Sequence, residues 1–324
     1  MLLGDVIELR HGPVRDALAA ARPVLGELGA TLGERGEVVI VPGNHDHELV
    51  SPWRERSGRR GRPAPIGLEA AVDWRAGEPL AHVVKALAPA PVRVAYPGVW
   101  LRDDVYAMHG HYLDRHTTIP MLERLGAGAM AKIVSEPARG PRRAEDYEAA
   151  LAPLYAWIHA IAQHGGPDLD PPTRSSHGAS AQAWRAVAGP RRGDRRAAVR
   201  RRAVAGGFRV AIAGLNRAGL GPLTADVTGS ELRRAGVRAL GDVVSRLGVD
   251  ARHVLFGHTH RAGPLARDQP AEWLAPGGAR LLNTGCWVHE PAFLGRDPAA
   301  SPYRAGFAVR LADDGPPELV NLLD

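Results

Sequence analysis

Cysteine is nearly missing from this chain. Cys286 stands alone in 324 residues, so no intrachain disulfide can form, and a reducing cytosol is the default compartment. Long apolar runs are missing as well. None approaches the roughly 18–20 residues that span a bilayer, and no charged-then-apolar leader opens the chain. The expectation is a soluble, cytoplasmic protein without a transmembrane segment. Lysine is scarce: Lys85 and Lys132 are the only two among 41 basic residues. A net charge of +6 and a pI near 9.9 invite a nucleic-acid or anionic-surface partner. Heavy use of Arg, Ala, Gly and Pro fits a GC-rich genome better than selection for a polyanion, so nucleic acid is not the favoured partner. Internal repeats are absent too. The remainder is ordinary: 45% hydrophobic residues, and a length that suits one large domain or two modest ones.

Against that background four short islands stand out. They are Gly4-Asp5-Val6-Ile7-Glu8, Gly43-Asn44-His45-Asp46, His109-Gly110-His111 and Gly257-His258-Thr259-His260. Each mixes small residues with oxygen or nitrogen donors, and each follows or closes a short apolar run. Donors on loops just past strands can converge above a sheet and hold hard or borderline metal ions. Asp5 at a strand end suits a bridging carboxylate, with a turn or helix cap as the plain alternative. Asn44 offers a neutral carbonyl. His45 suits a ligand or an acid, and Asp46 is placed to orient its ring and keep it protonated. His109 ends an apolar strand, where a ligand belongs. His258 and His260 alternate around Thr259, so an extended segment presents both to one side.

The pattern around the islands predicts a strand ending at Met1–Leu3 and a helix over Pro13–Leu32 that Pro23 breaks or restarts. Glu37–Val41 reads as a buried strand and Val50–Gly67 as loop. Val92–Ala95, Val99–Leu101 and Val105–Met108 read as successive strands. Between 119 and 249 the chain turns helical, at Ala144–Ala162, Ala179–Ala188 and Ser230–Leu247. Gly165–Ser180 and Gly189–Arg196 read as linkers within that stretch. Strands resume at His253–Phe256, Arg280–Leu282 and Phe307–Leu311. The expected organisation is an α/β core, residues 1–118 and 250–324, interrupted by a helical insertion or cap over 119–249.

The order of the four islands resembles the calcineurin-like metallophosphoesterase superfamily. The resemblance covers both ends of the chain and not the insertion, and Asn283-Thr284-Gly285 is similar to the family's closing strand and turn. It implies an α/β/β/α sandwich with two divalent metal ions (Mn, Fe or Zn) between the sheets. It further implies that Asp5 bridges the ions, that Asn44, His109 and His258 ligate the second, and that His260 ligates the first. His45 would protonate the leaving group or stabilise the transition state. The implied reaction is hydrolysis of a phosphate ester by a metal-bridging hydroxide. Arg10 and His111, close to ligands in sequence, are candidates to contact a substrate phosphate. The family more often carries Asp where Glu8 stands. It also opens with an Asp-x-His motif on its first strand, supplying two ligands, and no such motif precedes Asp5. Since Met1–Leu3 begins partway through a strand and the later motifs are intact, the expectation is an upstream segment rather than a decayed first site.

Three other readings stay open at this stage. One is a pyrophosphohydrolase acting on a nucleotide- or lipid-linked diphosphate, with a phosphorylated small molecule or lipid as substrate. Another is a catalytically impaired binding or scaffold protein of the same fold. The third is a nuclease. It draws on Arg191–Arg202, with seven Arg in twelve positions, but aromatic residues do not interleave there as single-strand stacking needs. The same segment also suits peripheral contact with an anionic membrane, and the apolar stretch Phe208–Leu220 suits a cap helix touching a lipid or hydrophobic substrate.

Overall fold

The computed structural model describes residues 1–58, 64–119, 122–133, 137, 139–164, 210–224, 229–289, 291–294 and 297–324. Within them a mostly parallel sheet carries helices on one face. Its strands are β1 (Leu2–Leu3), β2 (Val38–Val41), β3 (Glu69–Ala71), β4 (Val92–Arg102), β5 (Val105–Met108), β6 (His253–Phe256) and β7 (Arg280–Asn283). They lie in the order β1-β2-β4-β5-β6-β7, with β3 paired to β4. A separate antiparallel pair is formed by β8 (Phe307–Arg310) and β9 (Glu318–Asn321).

β-Branched composition explains the central strands. Every residue of Val38–Val41 is buried, as parallel strands covered on both faces require. Alternate residues serve opposite faces. Val38, Ile40, Tyr106, Met108, Val254 and Phe256 join the large cluster under the helices. Val39, Val41, Val105, Ala107 and Leu255 form a second cluster, against which Val309 and Leu311 from β8 and its end are packed. The period-two pattern thus builds two apolar layers from one set of strands.

The register of β4 decides where the islands meet. Its first part runs parallel to β2, with Ile40 opposite Val94. From Gly98 onward it runs antiparallel to β5, with Gly98 opposite Met108. β2 and β5 therefore point in opposite directions along one long strand, and their C-terminal ends face each other. The same holds for β1, which runs parallel to β2, and β6, which runs parallel to β5; a Cβ placed on Gly257 would lie 3.6 Å from Leu3 O. What reads as two strands, Val92–Ala95 and Val99–Leu101, is one continuous strand, and that continuity aligns the two halves.

Other differences from expectation are local. Helix α1 (Val14–Leu32) runs through Pro23 without a break. Ser51–Ser57, expected as loop, forms the short helix α2, with Pro52 in its first turn where a missing N–H costs nothing. Helix α3 (Pro79–Ala86) packs beside α1. Of the insertion, α4 (Leu122–Ile133), α5 (Ala144–His164) and α6 (Gly229–Leu247) are described, with residues 210–217 also helical. Ala179–Ala188, the two linkers and Arg191–Arg202 lie outside the described residues.

The described helices of residues 119–249 share the core of the sheet. Ala127, Tyr147, Leu151, Tyr155, Leu240 and Val243 belong to the same cluster as the sheet residues. Polar contacts reinforce the docking of α5. Its Glu148 is 2% exposed and accepts from Tyr96 Oη at 2.6 Å, Tyr112 Oη at 2.7 Å and His47 Nε2 at 3.0 Å. His159 Nδ1 donates to Leu9 O at 3.0 Å, and Gln163 bonds Gly12 O and Val14 N. No helix among the described residues is long and apolar enough to cross a membrane.

Candidate metal centre

Strand ends place the donors. The chain leaves β1 at Gly4-Asp5, β2 just before Gly43-Asn44, β5 at His109 and β6 just before Gly257-His258, and these turns meet where the opposing ends come together. Asp5, His258 and His260 have φ of 52°, 62° and 59°, and no other described non-glycine residue has positive φ. Such backbone costs roughly 1–3 kcal/mol per residue and persists only where its surroundings hold it. All three residues belong to the predicted donor set.

The surroundings are visible. The Asp46 carboxylate, fully buried, accepts from Gly43 N at 2.6 Å, Val6 N at 2.7 Å and Asp5 N at 3.2 Å. It ties the first island to the second. Asn283 Nδ2 bonds Gly257 O at 2.9 Å and Thr259 Oγ1 at 2.8 Å, bracing the fourth. The resulting turn departs from the extended segment expected at His258–His260. Two glycines are required by close approach: a Cβ on Gly4 would collide with the His109 ring, and one on Gly43 with Asp5 Oδ1 and His109.

At the centre, Asn44 Oδ1 lies 3.2 Å from His109 Nε2 and 3.1 Å from His258 Nδ1, and Asp5 Oδ2 lies 3.1 Å from His109 Nε2. Asp5, His109 and His258 each point a donor atom to within 4.8 Å of the others. The outer nitrogens of both rings are taken: His109 Nδ1 by Leu3 O at 3.1 Å, and His258 Nε2 by Asp114 Oδ1 at 2.9 Å. An outer N–H held by an oxygen selects the tautomer whose inner nitrogen turns its lone pair inward once a metal ion displaces the inner proton. Two imidazole nitrogens and two side-chain oxygens converging in this way fit one divalent ion. Burial would lower the His109 pKa, but the Asp5 charge and hydrogen bond outweigh it and lift it to about 9. Burial likewise works against ionised Asp5, which the His109 charge and bond hold well below the usual carboxylate range.

His260 sits apart from that cluster. Its ring makes no hydrogen bond with another described residue. Burial, partly countered by the Asp5 charge, lowers its pKa to about 4, so the ring is neutral and able to ligate. Asp5 and His260 are the expected donors for the other ion of a pair that the described residues supply.

His45 has a different partner from the one expected. Glu8 Oε2, not Asp46, lies against His45 Nδ1 at 2.5 Å. Asp46 is consumed by backbone N–H groups, and burial followed by the Asp5 charge pushes it up to about 6. Burial opposes ionised Glu8, yet the bonds from His11 and His45 bring it down to about 2. For His45 burial is outweighed by the Glu8 bond and the Asp5 and Glu8 charges, so its pKa is raised. Asp5 Oδ1 also accepts from the His45 backbone N–H at 2.9 Å.

The two candidate substrate contacts divide. Arg10 Nη2 pairs with Glu123 Oε1 at 3.1 Å, while its buried Nε and Nη1 have no partner among the described residues. It lines a small cleft with Asn44, His45, His47 and Tyr155. His111 is 1% exposed and packed among Tyr96, Tyr112 and Tyr155, with Nε2 3.2 Å from Tyr96 Oη. Burial first, then the His109 charge, holds its pKa well below the ordinary value. It is a core residue, not a surface contact. Asp114 and Glu148 went unrecognised in the sequence, because neither lies in an island and nothing local marks them as partners of His258 and His47. Comparison with protein-family models, with curated proteins and with solved structures gave no match.

Proposed function

We propose that this protein is a metal-dependent phosphoesterase of the calcineurin-like metallophosphoesterase type. The reading rests above all on the inward convergence of Asn44 Oδ1, His109 Nε2, His258 Nδ1 and Asp5, with both imidazoles anchored from behind. The layering lends it support, since one sheet carries helices on one face and the β8–β9 pair on the other, as an α/β/β/α sandwich would. The described helices of residues 119–249 would then belong to an insertion docked onto that sandwich.

Asp5, Asn44, His109 and His258 would hold one divalent ion, Mn, Fe or Zn, and Asp5 with His260 would contribute to a second. Such ions supply charge stabilisation to a phosphoryl group and acidify water near neutral pH. The remaining work belongs to the chain. His45, protonated through Glu8, donates a proton to the departing oxygen. Glu8 fixes which ring nitrogen carries the retained proton. The unpaired N–H groups of Arg10 take a phosphoryl oxygen in the cleft beside His45. Asp46 keeps the Asp5 and Asn44 turns at their spacing, which sets the donors before substrate arrives.

The test is hydrolysis of an aryl phosphate monoester and diester by the manganese-loaded chain. Asp5→Asn and His258→Ala should each abolish it. Rates that survive both substitutions, or no hydrolysis of either ester by the loaded wild type, would sink the proposal.

A further inference from the structure

We propose that Glu8, His11 and His45 form a separate cation site, suited to zinc, on the outward side of His45. Glu8 Oε2 lies 2.5 Å from His45 Nδ1 and 3.1 Å from His11 Nδ1. The three donor atoms lie within 4.8 Å of one another. Two imidazoles and one carboxylate, with a position left for water, are a donor set that zinc favours.

Local bonds prepare the arrangement. Arg10 N donates to Glu8 Oε1 at 2.7 Å, which turns Oε2 toward the two rings. Leu9 N donates to His45 O at 3.1 Å and ties the Glu8–His11 turn to the His45 loop. The side chains of Glu8, His11 and His45 are 43%, 42% and 28% exposed, so a hydrated ion reaches them from solution. The buried cluster of Asp5, His109 and His258 uses none of these donor atoms. His11 has no part in the proposed reaction.

A cation here displaces the proton that Glu8 and His45 share. If His45 is the proton donor, filling the site stops the reaction, and this consequence alone rests on the phosphoesterase reading. Zinc would then act twice, supporting the reaction at the buried centre and suppressing it at the outer one.

Calorimetric zinc titration of the full chain tests the site, with wild type, His11→Ala and His258→Ala compared. Wild type should show two distinguishable classes of zinc binding. His11→Ala should weaken the outer class by at least the roughly 10–100-fold that loss of a supporting partner costs and keep the inner one. His258→Ala should do the reverse. Excess zinc should inhibit wild type and spare His11→Ala, each rate being compared with that of the same variant without excess zinc. A zinc isotherm that His11→Ala leaves unaltered overturns the site. The expected isotherms in a chain that hydrolyses no ester uphold the site and remove only the inhibition and the phosphoesterase reading.

Discussion

Asp114 holds the outer nitrogen of His258 at 2.9 Å, and the inner nitrogen is thereby left facing Asn44 Oδ1 at 3.1 Å. The carboxylate is 1% exposed and sits on the turn that follows His109-Gly110-His111, against which α6 packs. It therefore links the helix α6 to the cluster of Asn44, His109 and His258. Asp114→Ala should weaken manganese binding about 10–100-fold, the usual cost of losing an outer partner of a ligating histidine. The dissociation constant measures this, and an unchanged value would remove Asp114 from the support of the site.

Glu8 sets the charge of His45. Burial works against that charge, but the Glu8 bond and the Asp5 and Glu8 charges raise its pKa above the ordinary value. A proton donor is active while protonated, so the rate should hold below the raised pKa and fall as pH rises through it. Glu8→Gln removes the carboxylate charge and lowers that pKa. The falling limb of the kcat profile should then move to lower pH, and the His45 ring resonances should titrate earlier.

Glu148 fastens α5 to the sheet. Burial would raise its pKa, but the His47 charge and bond, with the Tyr96 hydroxyl, hold it at about 2. A carboxyl depressed below its ordinary 4.5 contributes stability that is complete above 4.5 and is lost as pH falls toward 2. Glu148→Gln should flatten that acid limb. Leaving the buried His47 Nε2 without its partner should also cost about 1–3 kcal/mol at neutral pH. Urea unfolding at several pH values measures both effects.

Gly43 is held to glycine by contact, not by backbone angle. A methyl group there would overlap Asp5 Oδ1 and lie 2.7 Å from His109 Cδ2. Gly43→Ala should displace both donors and abolish metal binding while the far-ultraviolet dichroism stays native. Full metal affinity in this variant would show that the centre tolerates a wider spacing than the structure presents.

Much of the frame was legible because it depends on local pattern. The short β-branched run at Val38–Val41 can be little other than a buried strand, and His253–Phe256 reads the same way. Asp5, Asn44, His109 and His258 could be named as candidate donors from their place at strand ends. Their neighbours could not. Glu8 and Asp46 are both acids near His45 in sequence, and only the folded turns show that Asp46 faces three backbone N–H groups while Glu8 faces the ring. Pro23 misled because its missing N–H and fixed φ are local penalties, and the packing of α1 against α3 outweighs them.

The sequence by itself determined the strands, the order of the donor islands and the chemistry those donors favour, since each follows from residue type and short-range spacing. Tertiary structure decided which donors meet. Residues 5, 44, 109 and 258 are brought together by the register of β4, which runs with β2 and against β5, and by turns held in left-handed backbone. It also decided that His111 belongs to a tyrosine-lined core and that the inserted helices share the main core, as the described parts show. Contacts between residues a hundred positions apart, such as Glu148 with His47 and Asn44 with His258, depend on how layers stack, and no local pattern carries that information.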